Sequence, residues 1–212
     1  MHNLNNFLDI SLPIGQDYTS WPSFESYKLT HISSTSEGAG FFLTRLTLLT
    51  QIATHIDAPS HYLKAGKSID EIPIDVFMGK ARLLDLSSVE GSVITAQDCI
   101  RQGQWTERVL LKTRASKSWH SQCFPCDYPV LEKPAVEYLS SKGVRMLATD
   151  TPSVDEFSCK SPRVHLWLSE YDIYIMESAY LFEAEEGYYE LIALPLNLKG
   201  ADGSPVRAVL HK

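Results

Sequence analysis

The chain has 212 residues, of which 44% are apolar and 21% charged, enough to build one sizeable hydrophobic core. Nineteen basic residues against 26 acidic ones give a formal net charge of −7. With no basic cluster, that balance argues against a nucleic-acid partner and against an anionic membrane surface. No apolar run is long enough to span a bilayer. The first residues lack a charged segment followed by an apolar one, so a cytoplasmic location is expected. Cys99, Cys123, Cys126 and Cys159 are then expected to be reduced. Cys123 and Cys126 form a lone CxxC with Pro125 inside it and Pro129 after it, which reads as loop rather than as a redox or zinc motif.

Residues 7–14 alternate apolar and polar and break at Pro13 and Gly15, as a first strand does. Residues 15–26 read as an aromatic loop carrying Tyr18, Trp21 and Phe24. Strands are expected over 27–34 and 41–57, separated by a turn signal at 36–40. Residues 62–73 read as loop and 82–86 as a buried strand. Thr95, with Asp98 three positions on, opens a short capped helix over 95–102. A compact strand follows at 109–113, then an irregular stretch at 114–130. Ala135, Val136 and Leu139 have helical spacing within 132–142, and Gly143 is a fitting stop. Further elements are a strand at 144–149, a loop at 150–155, a helix at 163–171 and strands at 173–177, 188–193 and 206–210, with a tight turn at 200–205. Strands dominate and no repeat or linker interrupts them, which suits one α/β or α+β domain.

The stretch Gln51-Ile-Ala-Thr-His-Ile-Asp-Ala-Pro-Ser-His61 carries the chemistry. On a strand, residues two apart share a face, so His55 and Asp57 point the same way, with Gln51 and Ala53 behind them. Pro59 ends the strand, and the turn can swing His61 toward that face. Imidazole with carboxylate is a ligand set for Zn²⁺, Mn²⁺ or Fe²⁺. His2, His31, His120 and His211 have no such company and read as ordinary histidines. Asp150, Asp155, Asp202 and Gly203 read as turn and capping residues. Trp21, Phe24, Phe41 and Phe42 are candidate walls for an aromatic substrate, or core packing residues.

Thr54-His55-Ile-Asp57-Ala-Pro59-Ser-His61 resembles the signature His-x-Gly-Thr-His-x-Asp-x-Pro-x-His of the cyclase family that includes bacterial kynurenine formamidase. The resemblance continues through Val109–Thr113, Asp150–Asp155, His165 with Glu177, and Leu194–Arg207. It implies a single domain over 1–212 with a swivelling β/β/α fold, a homodimer or homotetramer, and a small-molecule substrate. It also implies one or two divalent ions per chain, Zn or Mn. His55 and Asp57 would hold the first ion. Asp57 would bridge to a second, held by His165 and Glu177. His61 would be the catalytic histidine. The implied reaction is hydrolysis of an N-formyl or related amide, or of a small ester or lactone. Three positions depart from the pattern. Gln51 stands where the family has its first His, Ala53 where it has Gly, and Ser178 where it usually has Asn. A carboxamide oxygen is a weaker ligand than imidazole, which weakens the first metal position or shifts it toward a harder ion. That departure keeps open a cyclase, dehydratase or isomerase reaction, and also a non-catalytic small-molecule binder.

Overall fold

The computed structural model describes residues 6–22, 24, 27–33, 38, 40–101 and 103–212. The main sheet is built from β1 (Phe7–Asp9), β4 (His55–Asp57), β5 (Met78–Asp85), β7 (Arg108–Lys112), β9 (Met146–Thr149), β10 (Tyr174–Glu177), β11 (Gly187–Ile192), β12 (Gly203–Pro205) and β13 (Val209–His211). Its order is β1-β13-β11-β5-β7-β9-β10-β4-β12. The central strands β5, β7, β9 and β10 are parallel, and antiparallel strands flank them on both sides.

The parallel strands carry unbroken apolar runs because both faces of the sheet are covered. Successive side chains enter opposite cores. Leu110, Met146, Ala148 and Met176 join one core with Ile10, Ile56, Phe77 and Leu210. Val109, Leu111, Leu147 and Ile175 join the other, under the helices. Those helices are α1 (Ala96–Cys99), α2 (Ala115–His120), α3 (Lys133–Ser141) and α4 (Arg163–Glu170). Each presents an apolar stripe to the sheet, Ala135, Val136 and Leu139 from α3, Val164 and Leu168 from α4. Thr95 and Asp98 form the expected capping box at α1, though the helix is shorter than the sequence suggested. Two small ribbons complete the molecule: β2 (Tyr27–Ser33) with β3 (Leu43–Leu48), and β6 (Val93–Ile94) with β8 (Val130–Leu131).

Three expectations are corrected. The strand expected over 41–57 is two strands in different sheets, β3 and β4. Ala53 adopts φ +51° between them, a left-handed turn that no extended strand can contain. The stretch 114–130, expected to be irregular, contains α2 and β8; α2 is held by a buried carboxylate from outside the stretch, Asp150, which accepts the Ser116 N–H. The turn expected at 200–205 ends in β12, which pairs with β4 as the edge of the main sheet; Pro205 is tolerated there because an edge strand can spare a donor. Most of the turn signal at 36–40, as well as His2, lies outside the described residues.

Candidate metal centre

The register of the sheet assembles the donors. Glu177 lies opposite His55 and Ile175 opposite Asp57 across the antiparallel β4–β10 pair. His55, Asp57 and Glu177 therefore leave the same face, the one that carries Ile175 and packs under α4. From α4, His165 reaches the same volume. Four side chains close a ring in which imidazole and carboxylate alternate. Nε2 of His55 lies 3.5 Å from Asp57 Oδ1 and 3.4 Å from Glu177 Oε2. Nε2 of His165 lies 3.3 Å from Asp57 Oδ2 and 3.5 Å from Glu177 Oε1. All four residues are buried.

Neighbouring groups fix which nitrogen each imidazole offers. His55 Nδ1–H donates to the Ala53 carbonyl at 2.8 Å, and a carbonyl can only accept. His165 Nδ1–H donates to Asp155 Oδ2 at 2.6 Å. Both rings thus turn Nε2 inward, the arrangement that metal-ligating histidines adopt. Asp155 also accepts the Val164 N–H at 2.9 Å, so one carboxylate caps α4 and orients its histidine. Glu177 Oε1 accepts the Val154 N–H at 2.7 Å, which ties the loop 150–155 to the centre.

The residues fit a divalent cation. Asp57 is 1% exposed, yet no hydrogen bond reaches either carboxylate oxygen among the described residues. Such a group is costly to bury unless a cation satisfies it. Zinc bonds of about 2.0–2.1 Å place tetrahedral ligands roughly 3.3 Å apart, close to the 3.5 and 3.4 Å that separate His55 Nε2 from Asp57 Oδ1 and Glu177 Oε2. His55, Asp57 and Glu177 each offer one donor atom within 4.8 Å of the others, while His165 faces the other oxygen of each carboxylate. The electrostatics agree. Burial disfavours a charged His55, but the facing carboxylates of Asp57 and Glu177 outweigh it and lift its pKa to about 10. His165 is also raised, burial being outweighed by Asp155, Asp57 and Glu177. Burial would raise Asp57, but His165 and His55 hold it well below the usual carboxylate range. Two carboxylates facing two imidazoles form a site prepared for positive charge.

His61 lies at the rim, in a one-turn 3₁₀ segment, Pro59–His61. Its ring centroid is 6.2 Å from that of His165, and its Nδ1 lies 3.1 Å from Asp202 Oδ2. Gly66 makes this turn possible: a Cβ there would lie 2.3 Å from the Pro59 carbonyl carbon. Tyr62 follows, its ring 5.1 Å from His165. A cavity of about 400 Å³ opens above the donors, lined by Trp21, Phe24, Leu49, Gln51, His61 and Pro152 among others. Trp21 and Phe24 thus stand where a substrate wall was expected. Phe41 does not line this cavity; it stands 65% exposed beside the β2–β3 ribbon. Gln51 stays outside the ring. Its Nε2–H donates to the Asp202 carbonyl at 3.1 Å, and its buried Oε1 has no partner among the described residues.

Asp155, Tyr62 and Asp202 are the site residues that sequence reasoning missed as such. Asp155 precedes His165 by ten positions, beyond any local capping rule. Asp202 is separated from His61 by 141 positions, and it reads locally as a turn former. A larger groove of about 740 Å³, lined by Lys80, Trp105, Arg108 and Tyr188 among others, opens at the opposite end of the parallel strands. The donors instead gather at the carboxyl end of β10, where open α/β sheets bind ligands.

Known proteins resemble this chain over nearly its whole length. The Cyclase family model matches residues 8–156. A kynurenine formamidase from Bacillus cytotoxicus is 38% identical over 209 residues, 98% of each chain. A predicted metal-dependent hydrolase from Bacillus stearothermophilus superposes with a TM-score of 0.80 at 27% identity, covering 96% of this chain and 97% of that one. Isatin hydrolase A from Labrenzia aggregata shares the fold, with a TM-score of 0.80 at 22% identity over 96% and 92% of the two chains. The fold is the strand-rich α/β fold of metal-dependent hydrolases. The chain belongs to the Cyclase family.

Proposed function

We propose that this chain is a metal-dependent hydrolase of carbon–nitrogen bonds that releases formate from an N-formyl arylamine, with N-formylkynurenine as the reference substrate. The ring of His55, Asp57, His165 and Glu177 beside His61 is the observation that carries the reading. His55, Asp57 and Glu177 would hold one divalent ion, Zn or Mn, with His165 Nε2 facing the other oxygen of each carboxylate. Their two carboxylates balance one dication, and the neutral carboxamide of Gln51 supplies no further charge. A bound cation would supply Lewis acidity, polarising a carbonyl and acidifying water.

The protein's own groups do the rest. His61 takes the proton of the attacking water on Nε2 and returns it to the leaving arylamine nitrogen. Trp21 and Phe24 pack the aryl ring and exclude water from one side of the cavity. Trp21 is itself fixed by Phe124 and Phe157, with ring centroids at 5.5 and 5.1 Å. The test is hydrolysis of N-formylkynurenine by protein loaded with Zn²⁺ or Mn²⁺, before and after chelation. Turnover that chelation abolishes and metal restores is expected. Undiminished turnover in verified metal-free protein would overturn the reading.

The assembly is proposed to be a homodimer. Leu29, Ile32, Phe42, Leu43 and Leu46 of the β2–β3 ribbon and its approach are all about half exposed, and exposed apolar residues gathered on one element mark an interaction surface. It runs on to Phe24 and Leu49 at the cavity mouth. A cytoplasmic setting fits the free thiols of Cys99, Cys123, Cys126 and Cys159. Among the described residues, no helix is long and apolar enough to cross a membrane.

A further inference from the structure

We propose that Asp202 is the positioning residue for His61, and that Thr50, Asp202 and His61 act as one aligned chain. The inference rests on the hydrolytic reading in assigning a proton-transfer role to His61. The alignment itself is independent of it.

Asp202 makes four contacts with the segment that carries the site. Its Oδ2 lies 3.1 Å from His61 Nδ1. Its Oδ1 accepts the Thr50 hydroxyl at 2.7 Å. Its carbonyl accepts the Ala58 N–H at 2.9 Å and the Gln51 amide at 3.1 Å. The backbone is therefore pinned, and both carboxylate oxygens are committed. Burial of Asp202 is outweighed by the Thr50 and His61 contacts, which hold its pKa below the usual carboxylate value. An ionised carboxylate can only accept, so His61 Nδ1 carries the proton. In the neutral ring Nε2 is then the nitrogen without a proton, the one a base uses.

Packing does not explain this arrangement. The His61 and Asp202 side chains are 38% and 45% exposed, and a polar contact that open contributes little to stability. What the contact supplies is direction. Without it, the His61 ring at the rim of an open cavity is free to rotate and to exchange tautomers. Gly203 reinforces the assignment: a Cβ there would lie 2.5 Å from Gln51 Nε2, so the chain passes close enough for Asp202 to reach across.

The test uses full-length, metal-loaded protein. Asp202→Ala is expected to lower kcat about 30-fold or more, with KM changed less than about 3-fold and metal content unchanged. In a His61→Ala background the same substitution should have almost no further effect, because both act through one imidazole. Asp202→Asn keeps an acceptor and should recover part of the loss. Thr50→Val, the milder variant should Asp202→Ala fold poorly, should lower kcat a few-fold and be silent without His61. Nitrogen-15 spectra of His61 read the tautomer without turnover: protonated Nδ1 in the wild type, shifting toward protonated Nε2 in Asp202→Ala. Equal losses with and without His61, or an unchanged tautomer, would overturn the proposal. A wild type that hydrolyses no formyl arylamine while the tautomer shifts as expected would instead fault the substrate assignment alone.

Discussion

Each inward-facing nitrogen of the centre is set by a partner that grips the other side of the ring. The consequence is a competition between protons and metal. With His55 lifted to about 10 and His165 raised as well, the metal-free centre holds protons at neutral pH that a cation must displace. Affinity for Zn²⁺ or Mn²⁺ should therefore rise with pH, about tenfold per pH unit for each proton displaced, and fall on acidification. Calorimetry in buffers of different ionisation enthalpy should show at least one proton released per ion bound; release of none would contradict the electrostatics. Asp155 is the second lever. Asp155→Ala removes the acceptor of His165 Nδ1–H and the cap on the Val164 N–H. Metal affinity should fall about 10- to 100-fold, with a stability loss of about 1 kcal/mol from the cap. Unchanged affinity in a metal-competition titration would show that Asp155 only caps. His55 and Asp57 could be read from spacing because strand geometry alone puts them on one face. Asp155 could not, since its reach to His165 depends on how a loop folds back on a helix.

At the scale of elements, apolar periodicity served where burial is two-sided or amphipathic. The strands β7, β9, β10 and β11 and the helices α3 and α4 follow from it. It failed where a distant side chain decides. α2 is anchored by Asp150, which accepts from Thr113 N–H at 2.8 Å and Oγ1 at 2.7 Å, and from Ser116 N–H at 3.0 Å and Oγ at 2.5 Å. Burial pushes the pKa of Asp150 up to about 6 even against these donors, so it is charged at neutral pH. Asp150→Asn would set an amide N–H₂ against those donors. It should cost about 2–3 kcal/mol, measured by urea denaturation at pH 7. A loss under about 0.5 kcal/mol would mean that α2 is held by packing alone. The division of 41–57 was likewise invisible locally. Ala53 turns left-handed at φ +51° where the family motif has glycine. Alanine is the smallest side chain that can occupy that conformation, and its methyl is buried against Ile52 and Trp119. Ser178, at φ +57°, likewise occupies a position where the family's usual Asn fits more easily.

Over the whole molecule, the order of strands is what makes the site. β4 enters the sheet between β10 and β12. That brings residues 55–57 beside residue 177 on one flank and beside residue 203 on the other. The first neighbour completes the ring of donors, and the second delivers Asp202 to His61. Composition and pattern announced an α/β protein and its separated motif blocks, but not this adjacency. Strand order depends on long-range pairing that no local signal encodes. Before the fold is known, only the resemblance of the blocks to one family links them.

The central claim is that one ion is shared by two segments more than a hundred positions apart. Anomalous diffraction from a crystal grown with Zn²⁺ tests it most directly. The prediction is a strong peak in each chain, bonded to Nε2 of His55 and the carboxylates of Asp57 and Glu177. A peak ligated from only one of the two segments, or no peak at this place, would contradict it.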